Sequence, residues 1–576
     1  MMKTSSTYRF FEDVQLFIDL FRGAGNALFL ALWATVIGGS ALYGVCRDAY
    51  AADESPTRET NSAFAFAQLE TLAKQLADQP YTPPEEVVPD FLRALTREQW
   101  RAIRYRSENT SASGNANDAF AVDFLYPGSI FTHTVRINIV DGPRVRPLVF
   151  SPEMFEVADE KLAEQLRQLQ LGFAGFSLSY PGAPANVGED DDTLGLMGTS
   201  HFQFRGRKAR YGGDARLVAL DTAAPSGEQR PFFREYWLHS PDSDAKEFVI
   251  HALMDSPGMT GAFEIVVTPG TTMILDVHAG FFRRGTSRPA KIGLAPITGM
   301  FLFSETGRGD ISDYRPEVHS CDGLLMAAND NDWRWVPLKN PQRLAINSFE
   351  LDRPRGFGFM QRDTNFDHYQ DLRNRLERCS SLWVEPKGDW GAGGIELVEI
   401  PSDKDIHSNI MAYWIPADDS PLSRAAGVSK PDAESADGNA PLILDYRLYW
   451  MPPDIPMHEL GAARDTRIAR TPEADGITFV IDFEGGLLNA LPADTGLTSV
   501  VDAPPEAPLL DKQLMKNEVT GGWRLVLKFG LPQDGVLTRL LAARDGPAPL
   551  RFSAHLKRGE NLAEVLTEKW IYNWAP

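Results

Sequence analysis

The sequence has 576 residues, more than one ordinary hydrophobic core supports, and this length predicts two or three domains. The hydrophobic fraction of 43% is that of a folded globular protein, and 78 acidic against 57 basic residues give a net charge of -21. Such a charge repels phosphate backbones and anionic headgroups, which argues against nucleic acid as a partner. The 12 Trp and 15 Tyr suit a carbohydrate binder, and they equally suit a β-sheet core.

The N-terminus has the pattern of an export signal. Basic residues precede the apolar run Ala27–Val45, and Ala49–Ala51 supplies a small-x-small cleavage pattern before a polar stretch. We therefore predict a signal peptide over residues 1–51, Sec export and a periplasmic mature protein. An uncleaved single-span anchor is the alternative, because the leader is long and also carries acidic residues.

The first element after the leader is a predicted amphipathic helix over Phe64–Gln79, which Pro83 and Pro84 follow. Beyond it the pattern changes to short segments rich in β-branched and aromatic residues, separated by Gly, Pro and Asp. Helical periodicity is scarce there, so the sequence predicts an all-β fold. The clearest of these predicted strands are Phe131–Val140, Glu247–Leu253, Thr272–His278 and Gly299–Phe303.

A change of composition divides the chain further on. Residues 417–439 are dominated by Asp, Ser, Ala, Pro and Gly, which predicts a flexible insertion in a large domain over residues 52–453. Strand patterns resume in residues 464–576, and in Trp523–Phe529 the apolar side chains alternate with polar ones. Several such strands predict a small immunoglobulin-like C-terminal sandwich.

Two cysteines are left once the predicted signal, which contains Cys46, is removed. In an oxidising compartment Cys321 and Cys379 could form one disulfide or stay as free thiols, and the sequence leaves both alternatives open. The usual catalytic signatures are absent from the sequence, and the ten His are scattered. We therefore expect no metal and no cofactor.

A series of segments dense in aromatic, Gly and charged residues runs in order through most of the sequence. These segments are Leu171–Phe176, Tyr211–Gly212, Leu220–Glu228, Phe233–Trp237, Leu253–Pro257, Leu294–Phe303, Tyr314–His319, Trp333–Trp335, Pro354–Arg362, His368–Leu372, Ser381–Trp390 and Leu397–Pro401. On these motifs the chain resembles the OpgG/OpgD (MdoG) family of osmoregulated periplasmic glucan biosynthesis proteins. The resemblance covers roughly Phe64 to the C-terminus.

This resemblance implies a large galactose-mutarotase-like β-sandwich with a cleft, and an activity on β-1,2-glucan. Charged and aromatic motif residues could line such a cleft, although each could equally belong to the core. The candidate substrate-binding residues are Arg315, Glu317, His319, Arg362, Tyr369, Trp383 and Trp390.

The sequence departs from the family pattern at both expected catalytic positions. Family enzymes resemble inverting glycosidases, in which one carboxyl group protonates the leaving oxygen and another activates water. The base position is Ser320 in this sequence, and the acid position is Ser408. Carboxylates remain nearby, and a relocated acid or base could come from one of them. These residues are Asp313, Glu317 and Asp322 around the first position, and Asp403 and Asp405 around the second.

Three functions follow as hypotheses. The first is a glucan-binding factor that has lost hydrolysis. The second is an active glucanase or transglycosylase in which a neighbour such as Asp322 or Asp405 serves as the proton carrier. The third is a non-catalytic partner of the membrane glucan synthase, and a homodimer is a further open alternative.

Overall fold

The structure is a computed structural model that describes residues 64–106, 120–180, 193–285, 289–307, 312–329, 331–405, 408–417, 422, 441–471, 476–531, 549–559 and 564–575. The predicted signal peptide lies outside the described residues, and so does most of the predicted insertion at 417–439. Strands dominate the described chain, which confirms the predicted all-β class. Among the described residues, no helix has the length and apolar composition that a membrane span requires.

The regular elements are as follows. The helices are α1 Phe66–Ala77, α2 Asp90–Arg93, α3 Arg97–Arg101, α4 Glu160–Arg167 and α5 Phe366–Tyr369. The strands of the first half are β1 Ile103–Tyr105, β2 Ala121–Leu125, β3 Arg136–Asp141, β4 Arg144–Pro147, β5 Phe155–Val157, β6 Gly175–Ser179, β7 Thr193–Met197, β8 His201–Phe204, β9 Asp214–Arg216, β10 Ala219–Leu220, β11 Phe232–His239, β12 Phe248–Asp255, β13 Met259–Thr268, β14 Met273–Arg283, β15 Ile292–Gly299 and β16 Phe301–Phe303. The remaining strands are β17 Val318–His319, β18 Gly323–Asn329, β19 Asp332–Pro337, β20 Ala345–Leu351, β21 Gly356–Met360, β22 Ser381–Pro386, β23 Gly393–Glu399, β24 Ile410–Pro416, β25 Leu442–Met451, β26 Ala462–Thr471, β27 Gly476–Glu484, β28 Leu497–Asp502, β29 Leu509–Lys516, β30 Trp523–Gly530, β31 Leu550–Arg558, β32 Glu564–Val565 and β33 Lys569–Trp574.

The predicted N-terminal helix is confirmed as α1. Its buried residues Leu69, Ala73 and Ala77 recur every four positions, so they lie on one face of the helix. That face packs on β12, β13 and β14. The hydroxyl of Thr260 in β13 also donates a hydrogen bond to the Ala73 carbonyl at 2.7 Å, which fixes the helix on the sheet.

Two large sheets enclose the main hydrophobic core. One sheet has ten strands in the order β2-β6-β7-β8-β9-β15-β24-β23-β20, with β10 on β15. The other has fifteen strands in the order β28-β31-β33-β19-β18-β21-β22-β25-β14-β13-β12-β11-β3-β4, with β32 on β31. Both contribute side chains to one core, including Phe176 and Trp414 from the first and Phe263 and Trp450 from the second. The chain is therefore a sandwich built by burying one face of each sheet.

The C-terminal strands form a second core that includes parts of the large sheet. Strands β26, β27, β30 and β29 make a four-stranded sheet, and in β30 the predicted alternation of buried and half-buried residues is present. Strand β33 pairs in parallel with β19, so that Trp570 is opposite Trp335. Residues 62–576 form one compact unit. The division into separate large and immunoglobulin-like domains stays a prediction.

Two predicted strands are shortened or interrupted in the structure. The strand expected over Phe131–Val140 begins only at Arg136, because Phe131 and Val135 are engaged in isolated bridges elsewhere. The strand expected over Gly299–Phe303 is interrupted at Met300, whose peptide groups bind Ser320 instead. Cys321 and Cys379 are free, buried thiols, so they form no disulfide in this structure.

Candidate functional site

The end of β15 brings three distant parts of the chain together. Ser320 binds the backbone of Met300, and the Asn409 side chain binds both peptide groups of Phe301 at 2.9 Å. On the β9 side of β15, Asp214 stands directly opposite Thr298. Residues 320 and 408, the two positions predicted to correspond to the family's base and acid, therefore lie beside one four-residue segment, 298–301.

Ser320 is a buried structural contact in this arrangement. Its side chain is held between the peptide groups of Met300, accepting from the N–H at 3.2 Å and lying 3.4 Å from the carbonyl oxygen. The residue is 5% exposed. A neutral hydroxyl held in this way has no proton-accepting power near neutral pH, so position 320 does not supply a base.

Ser408 is exposed, and its side chain lies close enough to the Asp214 carboxyl group to lower the pKa of that group. Asp214 is the first residue of β9 and is half-buried. Burial raises the pKa of the Asp214 carboxyl group, and the neighbouring His201 and Arg216 oppose this rise only in part. Sequence reasoning missed Asp214, because nothing local marks a short polar strand as part of a site.

Asp214 belongs to a polar cluster on the side of the ten-stranded sheet that faces away from the main core. Ala215 points into that core, whereas Asp214 and Arg216 point the other way. Thr298 is opposite Asp214, and His201 is opposite Arg216 on the next strand. We call His201, Asp214, Arg216, Thr298 and Ser408 the Asp214 cluster.

Three atoms of the Asp214 cluster lack a hydrogen-bond partner among the residues that the structure describes. They are Oδ1 of Asp214, Oγ1 of Thr298 and Nε of Arg216, and all three are buried. An unpaired buried polar atom costs roughly 1–3 kcal/mol. Three such atoms in one cluster leave hydrogen-bonding capacity unused.

A second group of carboxylates surrounds Arg315. Its guanidinium donates to Asp313 at 2.7 Å, to Asp371 at 3.0 Å and to Asp405 at 2.9 Å. The hydrogen bonds to Asp313, and then those to Asp405 and Asp371, raise the pKa of Arg315 against the effect of burial. Asp405 is thereby held three residues before Ser408, and Asp403 nearby is exposed.

Four predicted residues meet in a buried network around His319. His319 is wholly buried, and its Nε2 lies 2.9 Å from Glu317 while its Nδ1 lies 3.4 Å from Asp322. Burial lowers the pKa of His319, but Asp322 and Glu317 outweigh that effect and bring it to about 9. The Tyr369 hydroxyl lies 3.4 Å from the ring and receives a hydrogen bond from Gln361 at 2.8 Å. Every member has a partner inside the protein.

Arg362 lies at the junction with the C-terminal strands. It makes two hydrogen bonds to the buried carboxylate of Glu568, at 2.6 and 2.9 Å, and covers the Trp335 ring at 3.6 Å from its centre. His458 and the N–H of Ala463 also bind Glu568, at 2.9 and 2.7 Å. We call Arg362, Glu568, His458 and Ala463 the Glu568 cluster. The guanidinium of Arg362 is therefore engaged inside the protein.

A small cavity of about 20 Å³ adjoins these networks, and this is room for roughly one water molecule. Its lining includes Glu305, Asp322 and Asp363. Burial raises the pKa of Glu305 to about 7. Glu317, Asp363 and His368 also place ligand-type atoms within 4.8 Å of one another. His368 is already bound to Asp363 at 2.5 Å, so this grouping does not by itself indicate a metal.

Trp383 and Trp390 lie in hydrophobic cores. Trp383 is 1% exposed and stacks on Trp333, and Trp390 is 3% exposed and packs near Trp414. The Trp390 indole donates its N–H to the carbonyl of Asp445 at 3.2 Å. Neither ring has a face open to a sugar in this structure, because both have become packing residues of the sandwich.

The protein is an all-β sandwich in which the end of β15 brings together the segments around residues 214, 320 and 408. The profile of the family described as "Periplasmic glucan biosynthesis protein, MdoG" matches residues 64–574, and the chain belongs to this family. The family assignment made from the motifs is thereby confirmed.

Relatives named "Glucans biosynthesis protein G" are similar to the chain over most of its length. The Ralstonia nicotianae protein is 35% identical over 525 residues, covering 89% of this chain and 96% of the relative. The Pseudomonas entomophila protein is 34% identical, with 88% and 87% covered, and that of Pseudomonas syringae pv. tomato is 34% identical, with 83% and 73% covered. These similarities support a role in periplasmic glucan biosynthesis.

Proposed function

We propose that the protein binds a β-1,2-linked glucan during periplasmic glucan biosynthesis and does not hydrolyse it by the route of the family enzymes. The observation that carries this proposal is the pair of serines, Ser320 and Ser408, beside the 298–301 segment. The family pattern has aspartates at both positions. A missing proton carrier typically costs about 10² to 10⁴ in rate.

Binding does not need those two carboxylates. Tyr314 is 73% exposed, and it precedes Arg315, which is fixed by three carboxylates. Its flat ring is available to pack on the C–H face of a sugar, while the polar atoms of the Asp214 cluster would take hydroxyl groups. We place the mature protein in the periplasm after removal of residues 1–51. A membrane glucan synthase as partner and a homodimer stay predictions.

The first prediction tests binding and hydrolysis together. Residues 52–576 are titrated with linear β-1,2-glucan by calorimetry, and the products are profiled by mass spectrometry. We expect saturable binding and products formed at least about 10²-fold more slowly than a family enzyme with both aspartates forms them. Cleavage at an ordinary enzyme rate, about 1–10³ s⁻¹, would contradict the proposal, and so would absence of binding.

Two variants locate the binding surface. Tyr314→Ala should weaken glucan binding by about 1–3 kcal/mol if the ring is a central contact. Phe91→Ala removes another partly exposed aromatic ring, in helix α2, and should leave the affinity unchanged. Equal effects of the two substitutions would show that the binding surface lies elsewhere.

A further inference from the structure

The serine at the family's acid position lies beside a carboxyl group on another strand. Ser408 precedes β24, whereas Asp214 begins β9, and β15 lies between these two strands. The register places Asp214 opposite Thr298 and Ile410 opposite Gly299, so both residues stand at the same end of β15. A carboxyl group therefore persists beside position 408 although residue 408 itself has none.

The other carboxylates near positions 320 and 408 have partners within the protein. Asp405 is bound by the Arg315 guanidinium at 2.9 Å. Asp322 accepts hydrogen bonds from the N–H groups of Arg362 and Asp363 and lies beside His319. Asp214, in contrast, keeps Oδ1 unpaired.

The surroundings of Asp214 favour its protonated form. The charged or titratable groups that face it are His201 from β8 and Arg216 from β9 itself, and Thr298 and Ser408 face it as neutral hydroxyls. Burial raises the pKa of the Asp214 carboxyl group despite these two basic neighbours, and it also lowers the pKa of His201. A general acid needs this shift, because it must hold its proton until the leaving oxygen takes it.

We propose that Asp214 is the proton donor of this site, so that the acid has moved from position 408 to position 214 beside it and only the base at position 320 is missing. The inference rests on the proposed function, because it requires a β-1,2-glucan bound at the Asp214 cluster.

The step balances with water as the co-reactant. The bond between the anomeric carbon and the glycosidic oxygen breaks, and its electron pair stays on that oxygen. The oxygen takes the carboxyl proton of Asp214, either directly or through the Ser408 hydroxyl, which passes on one proton as it receives another. Water forms the new bond to the anomeric carbon and releases its proton to solvent, because residue 320 has no carboxylate. Asp214 then regains a proton from solvent.

The main test restores only the base. Ser320→Asp should raise the cleavage of linear β-1,2-glucan by about 10²-fold or more, although residue 408 is still serine. Adding Asp214→Asn to that variant should remove the gain, whereas adding Asp141→Asn, at an exposed position at the end of β3, should leave it intact. In the Ser320→Asp variant, the combined substitutions Asp214→Ser and Ser408→Asp should keep the increased cleavage.

A second test uses the unmodified protein, because a buried Asp at position 320 could disturb folding. Azide is a nucleophile with no proton to lose, so it needs an acid and no base. It should therefore speed cleavage and yield a glycosyl azide, detected by mass. Asp214→Asn should abolish this rescue, and the pH profile of the rescue should show loss of activity as the acid ionises.

The outcomes separate the two proposals. Calorimetry on every variant shows whether glucan is bound, and absence of binding throughout would sink the proposed function itself. If glucan binds but neither Ser320→Asp nor azide increases cleavage, Asp214 is not the proton donor. The same conclusion follows if the gain or the rescue survives Asp214→Asn.

Discussion

Two groups of charged residues in this protein differ in how completely they are paired. In the Glu568 cluster the carboxylate is wholly buried, yet it accepts hydrogen bonds from Arg362, His458 and the N–H of Ala463. In the Asp214 cluster the residue is half-buried, and its buried Oδ1 has no partner among the described residues. The first group is complete within the chain, whereas the second leaves hydrogen-bonding capacity unused.

This difference distinguishes residues that hold the fold together from residues that a ligand can bind. A fully paired buried network holds elements together, and a ligand has nothing to add to it. An incompletely paired cluster beside an exposed residue such as Ser408 offers hydrogen bonds that a ligand can make. Several motif residues that looked equally suited to sugar binding in the sequence, among them His319 and Arg362, belong to the first kind.

The largest effect is expected from breaking the Glu568 cluster. Burial alone would raise the pKa of Glu568, but Arg362 and His458 hold it at about 2. Glu568→Gln leaves the Arg362 charge buried without its partner and should lower the free energy of unfolding by about 3–5 kcal/mol in denaturant titration. As a control, Glu98→Gln breaks an exposed pair with Arg373 and should have no measurable effect. A small effect of Glu568→Gln would show that the junction contributes little stability.

A pH titration sharpens the same comparison at His319. Its pKa in the folded protein is about 9, raised from an ordinary value of 6.5. The stability that this protonation contributes is therefore complete below about pH 6.5 and is lost as the pH rises through about 9. Burial also raises the pKa values of Glu305 and Glu399 to about 7, so the interval from pH 8 to 9.5 lies above most of their titration and reports mainly on His319. The free energy of unfolding should fall across that interval and fall less in His319→Gln, and equal slopes in both proteins would refute this origin.

The smallest effect on stability is expected at Asp214. Unlike Glu568→Gln, a substitution at this position is expected not to destabilise the protein. Because burial raises its pKa, the folded protein loses stability as the pH rises from the ordinary value of 3.8 through the raised one. Asp214→Asn removes that loss, so at pH 7 the variant should be unchanged or more stable by up to about 1 kcal/mol. Thermal unfolding of the variant and of the unmodified protein at pH 4 and pH 7 measures this difference in stability. A clear destabilisation at pH 7 would show that Asp214 is a structural residue.

Part of the fold follows from local sequence patterns. Helix α1 and strands such as β12, β14 and β30 are predicted by the period of their apolar residues. The interruption at Met300 is not, because it depends on the side chain of Ser320 binding a backbone that would otherwise continue a strand. Local patterns also do not show that β33 joins the large sheet beside β19.

The site is predictable only in part. The motifs identify positions 320 and 408, but the charge and aromatic character of a residue does not tell whether it lines a cleft or fills a core. Trp383 is an example, since its ring is buried between packed strands. Asp214 could not be found, because its connection to Ser408 depends on which strands flank β15 and not on any local signal.

The parallel pairing of β33 with β19 also has a kinetic consequence. The contacts at this junction join residues far apart in sequence, and the Arg362–Glu568 pair spans 206 positions. Closing so long a loop costs chain entropy before the contacts form, and folds rich in such contacts assemble slowly. Until β33 arrives, β19 presents an open edge to other chains. Pairing of β33 with β19 covers this edge, and the folding chain is then less prone to aggregate.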